Sequence, residues 1–481
     1  MPDIWNPKPG DRVFRPRRIK RFHLRRVLGV AAVFSAGYGN VGSSIYYALG
    51  IVALVAGGAT PVALGVAGIL FIFTALTYAE GTSAIPEAGG SASFARHAFG
   101  DTAGFIAGWA LMLSYIVTIS ISAFTIPPYL GFFWEPFKSS AIVGTFTSIG
   151  IVFFLMVINV IGVKETSFLN IGATLIDILT QVTLVVIGFI TLFNPSVVIQ
   201  RIVDNWPSAE NLIFGIALAT IAYTGIETMS QMAEETKKPE RSVPRALVLM
   251  IVAVLVIFAG ISLVSLSAMP VQELATEWSR DPVAGIAFYI PIDLIKVVLK
   301  PLIAVLAGTI LLIATNAGLI GISRLAFSQG AHGLVPAMFS RVHKRFKTPY
   351  VSIIIFSLIA IVLLVPGFFE SDVFSNMGAL YAIGSLLAFM LAHASIIGLR
   401  IRQPDLLRPF RLKGNIKIAG YDIPITAVIG LLAIISIWVI IIMLEPYSRW
   451  VGLGWMVLGL VIYGIMRLRK HRKSQEWQIK T

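Results

Sequence analysis

Twelve stretches of this chain are long and apolar enough to cross a bilayer as helices, and they limit its fold more than any other feature. The hydrocarbon core is ~30 Å thick, which takes about 20 apolar residues to span. Only helices and closed barrels satisfy their backbone there. The stretches are 27–56, 61–84, 102–131, 140–162, 168–193, 209–234, 244–269, 297–325, 350–367, 373–399, 424–444 and 450–467. Pro61, Trp134, Trp206, Pro349, Pro424 and Trp450 flank them, as suits span ends and interfaces. Apolar residues make up 57% of the chain and charged residues 13%, against ~45–50% and ~25% in soluble domains. The mean hydropathy is +0.84. The expected class is an all-α polytopic membrane protein with 12 transmembrane helices. A soluble enzyme, a disordered chain and a disulfide scaffold are excluded.

There is no cysteine, so disulfides, thiolate metal sites and cysteine nucleophiles are ruled out. The six histidines lack metal-ligand spacing, and neither a metal centre nor a cofactor is expected. The net charge of +14 follows from topology. Twelve spans put both termini on one side, which then receives 32 of the 38 Lys and Arg residues. The other side receives Lys138, Arg201, Arg280, Lys296, Lys300 and Arg449. Positive residues gather on the cytoplasmic side, so both termini are expected in the cytoplasm and the protein in the cell (plasma) membrane. Arg15, Arg17, Arg18, Lys20, Arg21, Arg25 and Arg26 precede the first span, where they can meet anionic lipid. No nucleic-acid partner is expected. The first span is too long for a signal peptide and follows a 26-residue polar tail.

Glycine clusters within spans are informative, because irregular backbone is tolerated only beside protein or a watery cavity. Span 1 contains Gly37-Tyr38-Gly39-Asn40-Val41-Gly42-Ser43-Ser44-Ile45-Tyr46. Unwinding there would expose amides, and the half-helix from Ser43 would point its positive end at them, a pocket for a carboxylate. Close helix packing through small residues explains the glycines of span 1 equally well. Span 6 tips the balance, since Ala222-Tyr223-Thr224-Gly225-Ile226-Glu227-Thr228 again joins a glycine, hydroxyls and a carboxylate. Paired interruptions five spans apart point to the binding site of an inverted-repeat transporter.

Charged groups inside spans are costly and suggest function. The candidates are Glu80, Asp177, Glu227 and His393. Glu80, near the cytoplasmic end of span 2, reads as an interfacial or gate-network residue, and His393 as a packing residue. Glu227 could face the cavity or cap the second half-helix. Asp177, with Thr174 and Thr180 on roughly the same face, is a candidate proton carrier or cation ligand, or else a hydrogen-bonded structural acid. No basic side chain lies deep in a span.

At these motifs the chain resembles the amino acid–polyamine–organocation (APC) superfamily of secondary transporters over most of residues 27–420. Gly42-Ser43-Ser44-Ile45-Tyr46 is similar to the family's Gly-Ser-Gly-Ile-Phe motif. Tyr78-Ala79-Glu80 through Pro86-Glu87-Ala88-Gly89-Gly90, with Ala98-Phe99-Gly100 and Gly108-Trp109, resembles the span 2–3 signature. Tyr223 to Glu227, then Ala233-Glu234-Glu235-Thr236-Lys237-Lys238-Pro239 and Pro244-Arg245-Ala246, resembles the span 6–7 signature. Ser323-Arg324, Gly333-Leu334-Val335-Pro336, Val342-His343 and Thr348-Pro349-Tyr350-Val351 resemble the loop 8–9 signature, and Arg408-Pro409-Phe410-Arg411 the basic segment before span 11.

The resemblance implies a leucine-transporter-like 5+5 inverted repeat plus two C-terminal helices. The domains are then a basic tail 1–26, a first repeat 27–193, a second repeat 209–399, spans 11–12 at 424–467 and a basic tail 468–481. It also implies that Gly42, Ser43 and Ser44 hold a substrate carboxylate and that Tyr223, Thr224 and Gly225 help hold its amino group. The chain departs at Ser44, where the family has glycine, and at Gly39-Asn40-Val41, bulkier and more polar than usual. Asp177 matches a position where some members carry a lysine that takes a sodium ion's place, an inverted charge.

The leading functional expectation is an amino acid permease working by alternating access, coupled to protons through Asp177 and Glu227. A sodium site would draw on Thr309 and Thr315. The alternative is a polyamine or potassium-type cation transporter of the same fold. Tails of 26 and 14 residues leave no room for a sensor's signalling domain, and no nucleophile–base set suggests an enzyme. Partners are then a small-molecule substrate, the coupling ion H+ or Na+, and membrane lipid.

Overall fold

The computed structural model describes residues 26–162, 167–369, 373–418 and 420–479, with side chains outside 167–170 and 470–479. The tail residues Arg15 to Arg25, Lys164 and the lysines and arginines beyond 469 therefore lie outside the described side chains. The chain is almost wholly helical. In order come α1 (Val30–Val41), α2 (Ile45–Ala56), α3 (Thr60–Ala84), α4 (Ser91–Phe99), α5 (Asp101–Leu130), α6 (Pro136–Ser139), α7 (Ala141–Ile161), α8 (Ser167–Thr191), α9 (Pro195–Asp204) and α10 (Ala209–Ala219). Then follow α11 (Glu227–Gln231), α12 (Pro239–Ala268), α13 (Val271–Ala275), α14 (Pro282–Tyr289), α15 (Asp293–Ala331), α16 (Tyr350–Leu364), α17 (Val373–Arg402), α18 (Ile425–Leu444) and α19 (Pro446–Ile479). The short strands β1 (Asn415–Ile418) and β2 (Tyr421–Pro424) pair antiparallel between α17 and α18.

Among the described residues, 11 helical stretches are long and apolar enough to cross a membrane. The number falls below the expected twelve because spans 1 and 2 run together as one stretch, Val30–Ala84, of 55 residues. Such a length is ~80 Å of helix, more than twice the bilayer core. It turns at Gly57, whose φ of +52° favours glycine, and resumes as α3 with Pro61 in the first turn, where its missing N–H costs nothing. Local chemistry sets other ends. Ser140 Oγ accepts the Val143 N–H at the start of α7, Asn194 Oδ1 accepts the Ser196 N–H before α9, and Ser208 Oγ accepts the Asn211 N–H before α10.

Helix α5 is the centre of the bundle, buried along most of its length and packed against α15 and α17. The peripheral helices show apolar side chains outward, among them Ile190 on α8, Val297 on α15 and Leu432 on α18, as a lipid-facing surface requires.

Two candidate charged residues are structural braces. Glu80 is completely buried at the end of α3. Arg400 from the end of α17 donates to it twice, Nε to Oε1 at 2.6 Å and Nη2 to Oε2 at 2.8 Å. The Leu412 N–H adds a bond to Oε2 at 2.7 Å, and Arg408 Nε stands 3.4 Å from Oε1. Ser83, one turn on, donates to the Phe410 carbonyl at 3.1 Å. The α17–β1 connection is thereby fastened to α3. His393 lies between α3 and α17, its ring nitrogens 3.2 Å from Thr74 Oγ1 and 3.0 Å from Thr77 Oγ1. Helix α18 closes over the ring at Gly430, where a Cβ would stand 2.4 Å from it.

Removing one member of a buried, hydrogen-bonded ion pair strands the other. Arg400→Met is expected to cost about 3–5 kcal/mol of stability on that ground. SDS-titrated unfolding of the detergent-solubilised protein measures it, and a cost near zero would show that Arg408 alone neutralises Glu80.

Candidate functional site

The two glycine-rich breaks differ in kind. Between α1 and α2 the chain does not unwind: Gly42–Ser44 form one tightened 3-10 turn with right-handed helical angles. The expected freeing of amides in span 1 is corrected accordingly. Ser43 Oγ and Ser44 Oγ both donate to the Asn40 carbonyl, at 2.9 and 3.3 Å, so the hydroxyls hold the turn together. The Tyr38 ring lies over Gly42, where a Cβ would come within 2.4 Å of it. Between α10 and α11 the break is complete. After a 3-10 turn at Thr220–Tyr223, Thr224 is extended and Gly225 takes a φ of +107°, a region L side chains avoid. Tyr223 Oη donates to the Leu64 carbonyl on α3 at 2.8 Å, and Thr224 Oγ1 to the Ile221 carbonyl at 2.8 Å.

Asn40 joins the two breaks. Its amide packs on Gly225, where a Cβ would stand 2.8 Å away, and its Nδ2 donates to Thr228 Oγ1 at 3.0 Å. Glu227 opens α11, and its Oε2 accepts the Gly225 N–H at 3.0 Å, from the residue before the helix's N-cap. Its Oε1 is buried and has no partner among the described residues. The same holds for Asn40 Oδ1 and for the hydroxyls of Tyr78 on α3, Tyr115 on α5 and Tyr381 on α17. All three tyrosines lie within electrostatic reach of the Glu227 carboxylate. Sequence reasoning did not select them, because nothing in a lone tyrosine reports which way its helix is turned.

Asp177 on α8 is buried against α1 and α2, beside the first break. Tyr46 Oη donates to Oδ1 and Gln181 Nε2 to Oδ2, both at 2.7 Å. Gln181 Oε1 accepts from Tyr38 Oη at 3.3 Å, and Tyr129 Oη donates to the Tyr46 carbonyl at 2.7 Å. The acid therefore holds Tyr46 directly and Tyr38 through Gln181, the two tyrosines on either side of the 3-10 turn. Thr174, one turn away, accepts from Ser35 Oγ at 2.8 Å, whereas Thr180 bonds back to its own helix. Thr309 and Thr315 are not brought together. Thr309 is exposed and Thr315 buried, each donating to the carbonyl four residues before it. Six helical positions put them on different faces.

Further contacts tie the surrounding elements together. At the Glu80 end, the start of α1 lies against the segment after α11: Val27 N–H and Leu28 N–H donate to the Glu235 carbonyl, and Lys237 N–H to the Leu28 carbonyl. Arg324 from α15 pairs with Glu235 at 2.6 Å, and the Ala88 N–H donates to Glu234 Oε1 at 3.2 Å. At the opposite end, in the α12–α15 connection, Lys138 Nζ donates to Asp281 Oδ2 at 2.9 Å and lies 4.0 Å from the Trp278 ring centroid. Burial raises the Asp281 carboxyl from its ordinary 3.8 to about 6, against the opposing pull of Lys138.

The chain belongs to the amino acid permease family, whose model matches residues 28–466. It is 28% identical to the branched-chain amino acid permease BcaP of Bacillus subtilis, over 94% of this chain and 95% of the relative. It is 25% identical to the methylthioribose transporter of the same organism, over 98% and 99%. It is 26% identical to the glutamate/serine transporter AimA, also of B. subtilis, over 81% and 74%. Family and relatives' names indicate a transporter rather than an enzyme, and the eleven apolar helical stretches indicate a multi-pass membrane protein.

A side chain at Gly225 meets both a left-handed φ and Asn40. Gly225→Ala is expected to cost about 1–3 kcal/mol and to lower the melting temperature. Gly150→Ala inside α7, with nothing within 4 Å of its Cβ, is the control that does not lower it. The raised Asp281 carboxyl makes the folded state bind its proton more tightly than the unfolded chain. Its contribution is complete below pH ~4 and is lost as pH rises to ~6, on the order of 3 kcal/mol at most. Melting curves across that range should show the loss in the wild type and not in Asp281→Asn.

Proposed function

We propose that this protein is a secondary active transporter that moves amino acids across the cell membrane by alternating access, coupled to protons. The observation that carries the reading is the fully broken span at Thr224–Gly225, packed across Asn40 of the other interrupted span. Substrate is held between the two breaks, the carboxylate at the Gly42-Ser43-Ser44 turn through the two serine hydroxyls and the amino group by Tyr223, Thr224 and Gly225. Because the serine hydroxyls are bonded to Asn40, they turn from that carbonyl to the substrate on binding.

Val30–Ala84 is taken as two crossings that reverse at Gly57, which restores twelve. Its length and its left-handed turn support that count. With it go the 5+5 arrangement, repeats at 27–193 and 209–399, spans 11–12 at 424–467 and both termini in the cytoplasm. Asp177 and Glu227 are the coupling groups. Asp177 is wired by Tyr46 and Gln181 to the first break, and Glu227 by the Gly225 amide to the second. Proton coupling is favoured over sodium because Thr309 is exposed, away from Thr315. The unpartnered Glu227 Oε1 also supports a second reading, a polyamine or potassium-type cation as substrate.

Purified protein in proteoliposomes tests the proposal. An inward proton gradient should drive accumulation of labelled amino acid. Asp177→Asn should cut that accumulation by roughly tenfold or more while substrate exchange at equal pH continues. A thermal-shift panel of amino acids and their methyl esters tests the carboxylate site, since a ligand that binds only the folded state raises the melting point. Stabilisation that survives esterification, or one confined to polyamines or potassium, would refute it.

A further inference from the structure

We propose that the β1–β2 hairpin is an interfacial anchor, which lays Ile416, Ile418 and Tyr421 into the headgroup layer of an anionic bilayer surface while Arg411, Lys413 and Lys417 meet the lipid phosphates. The proposal needs only a multi-pass membrane protein and stands apart from the substrate reading above.

Strand β1 reads Asn415-Ile416-Lys417-Ile418, and alternate residues of a strand face opposite ways. The register sets Ile416 opposite Ile423 and Ile418 opposite Tyr421, so these four share one face of the hairpin. Asn415, Lys417, Asp422 and Pro424 share the other. Ile423 is buried, since β2 backs onto α17 and α18. The apolar face continues past it into the open: Ile416 is 50% exposed, Ile418 56% and Tyr421 39%. Every residue of β1 is exposed. A lone two-stranded hairpin is marginal in water, and one that also shows an apolar face calls for a cover.

The hairpin's position names that cover. Pro424 is followed at once by α18, a helix long and apolar enough to cross a membrane. The Ile425 N–H donates to the Gly414 carbonyl at 3.1 Å, which pins the base of β1 to the first turn of that helix. Ile416 is two residues from Gly414, about 7 Å along an antiparallel strand. The headgroup layer outside the hydrocarbon core is of similar depth, roughly 5–8 Å. Tyrosine favours that layer, where its ring meets lipid and its hydroxyl meets water. Charge then selects the lipid. Residues 411–424 carry three cations against one carboxylate, Asp422, which Arg411 pairs at 2.5 Å. Arg411, Lys413 and Lys417 are all exposed. Basic groups held at this depth draw anionic headgroups rather than zwitterionic ones. A soluble partner would have to displace headgroups to reach the same face.

The chain has no cysteine, so a single introduced cysteine carries a nitroxide label without background. Ile418→Cys and Lys417→Cys, made in the full chain and reconstituted in liposomes, are neighbours on opposite faces. Oxygen concentrates in lipid and a nickel chelate stays in water, and the ratio of their collisions with the label reads insertion. That ratio should be several-fold higher at the Ile418 site than at the Lys417 site. Tyr421→Cys, opposite Ile418 on the same face, gives the reading again should the first variant fold poorly. Phosphatidylglycerol in place of phosphatidylcholine should raise the ratio at the Ile418 site, and high salt should cancel the rise. Equal ratios at the two sites overturn the proposal. So does a label at the Ile418 site shielded from both oxygen and nickel, as under a protein partner or a second copy. A ratio indifferent to phosphatidylglycerol overturns the choice of an anionic surface.

Discussion

A backbone that leaves its helix inside a bilayer has no water to turn to, and among the described residues the Thr224–Gly225 break is where this happens completely. At Thr224–Gly225 the helical ladder stops, and the groups it releases are met by specific neighbours. The Gly225 amide is taken by Glu227, and the surface of Gly225 is covered by Asn40. Tyr223 reaches α3 and Asn40 reaches α11, so the break is pinned from both sides. The central α5 is buried along most of its length because α15, α17, α4 and α7 surround it and keep lipid away.

The three buried carboxylates of the spans, Glu80, Asp177 and Glu227, are treated in three ways. Glu80 has its counter-charge built in as Arg400 and Arg408, and it serves as a rivet. Asp177 has neutral donors on both oxygens and links α8 to the first interrupted span. Glu227 has a single donor and one free oxygen. A group with all its bonds filled internally is stable but inert, whereas one left short can bind.

Much of the architecture was legible in the sequence. Apolar length gave the helices, and Gly225 marked the break of span 6 because a glycine beside hydroxyls and a carboxylate recurs there five spans after the first such cluster. The same cues overstated span 1, where Ser43 and Ser44 spend their hydroxyls keeping a 3-10 turn. Asp177 was recognisable as unusual, but its partners Tyr46 and Gln181 were not, since Tyr46 lies 131 positions away. Thr309 and Thr315 share a helix and little else. Their six-residue spacing turns them to different faces of α15, and a sequence does not show which face the neighbours cover. The tyrosines around Glu227 were invisible for that reason too, as helix rotation is fixed by packing between distant segments.

The pairing of residues 27–28 with 235–237 changes what the α11–α12 connection can be. Most loops tolerate added residues because nothing depends on their length. This one is bonded through its backbone to the start of α1, while its carboxylates hold α15 and the turn after α3. One inserted residue would shift those attachments out of register together. The segment is a measured spacer rather than a tether, and natural length variation in this chain belongs elsewhere.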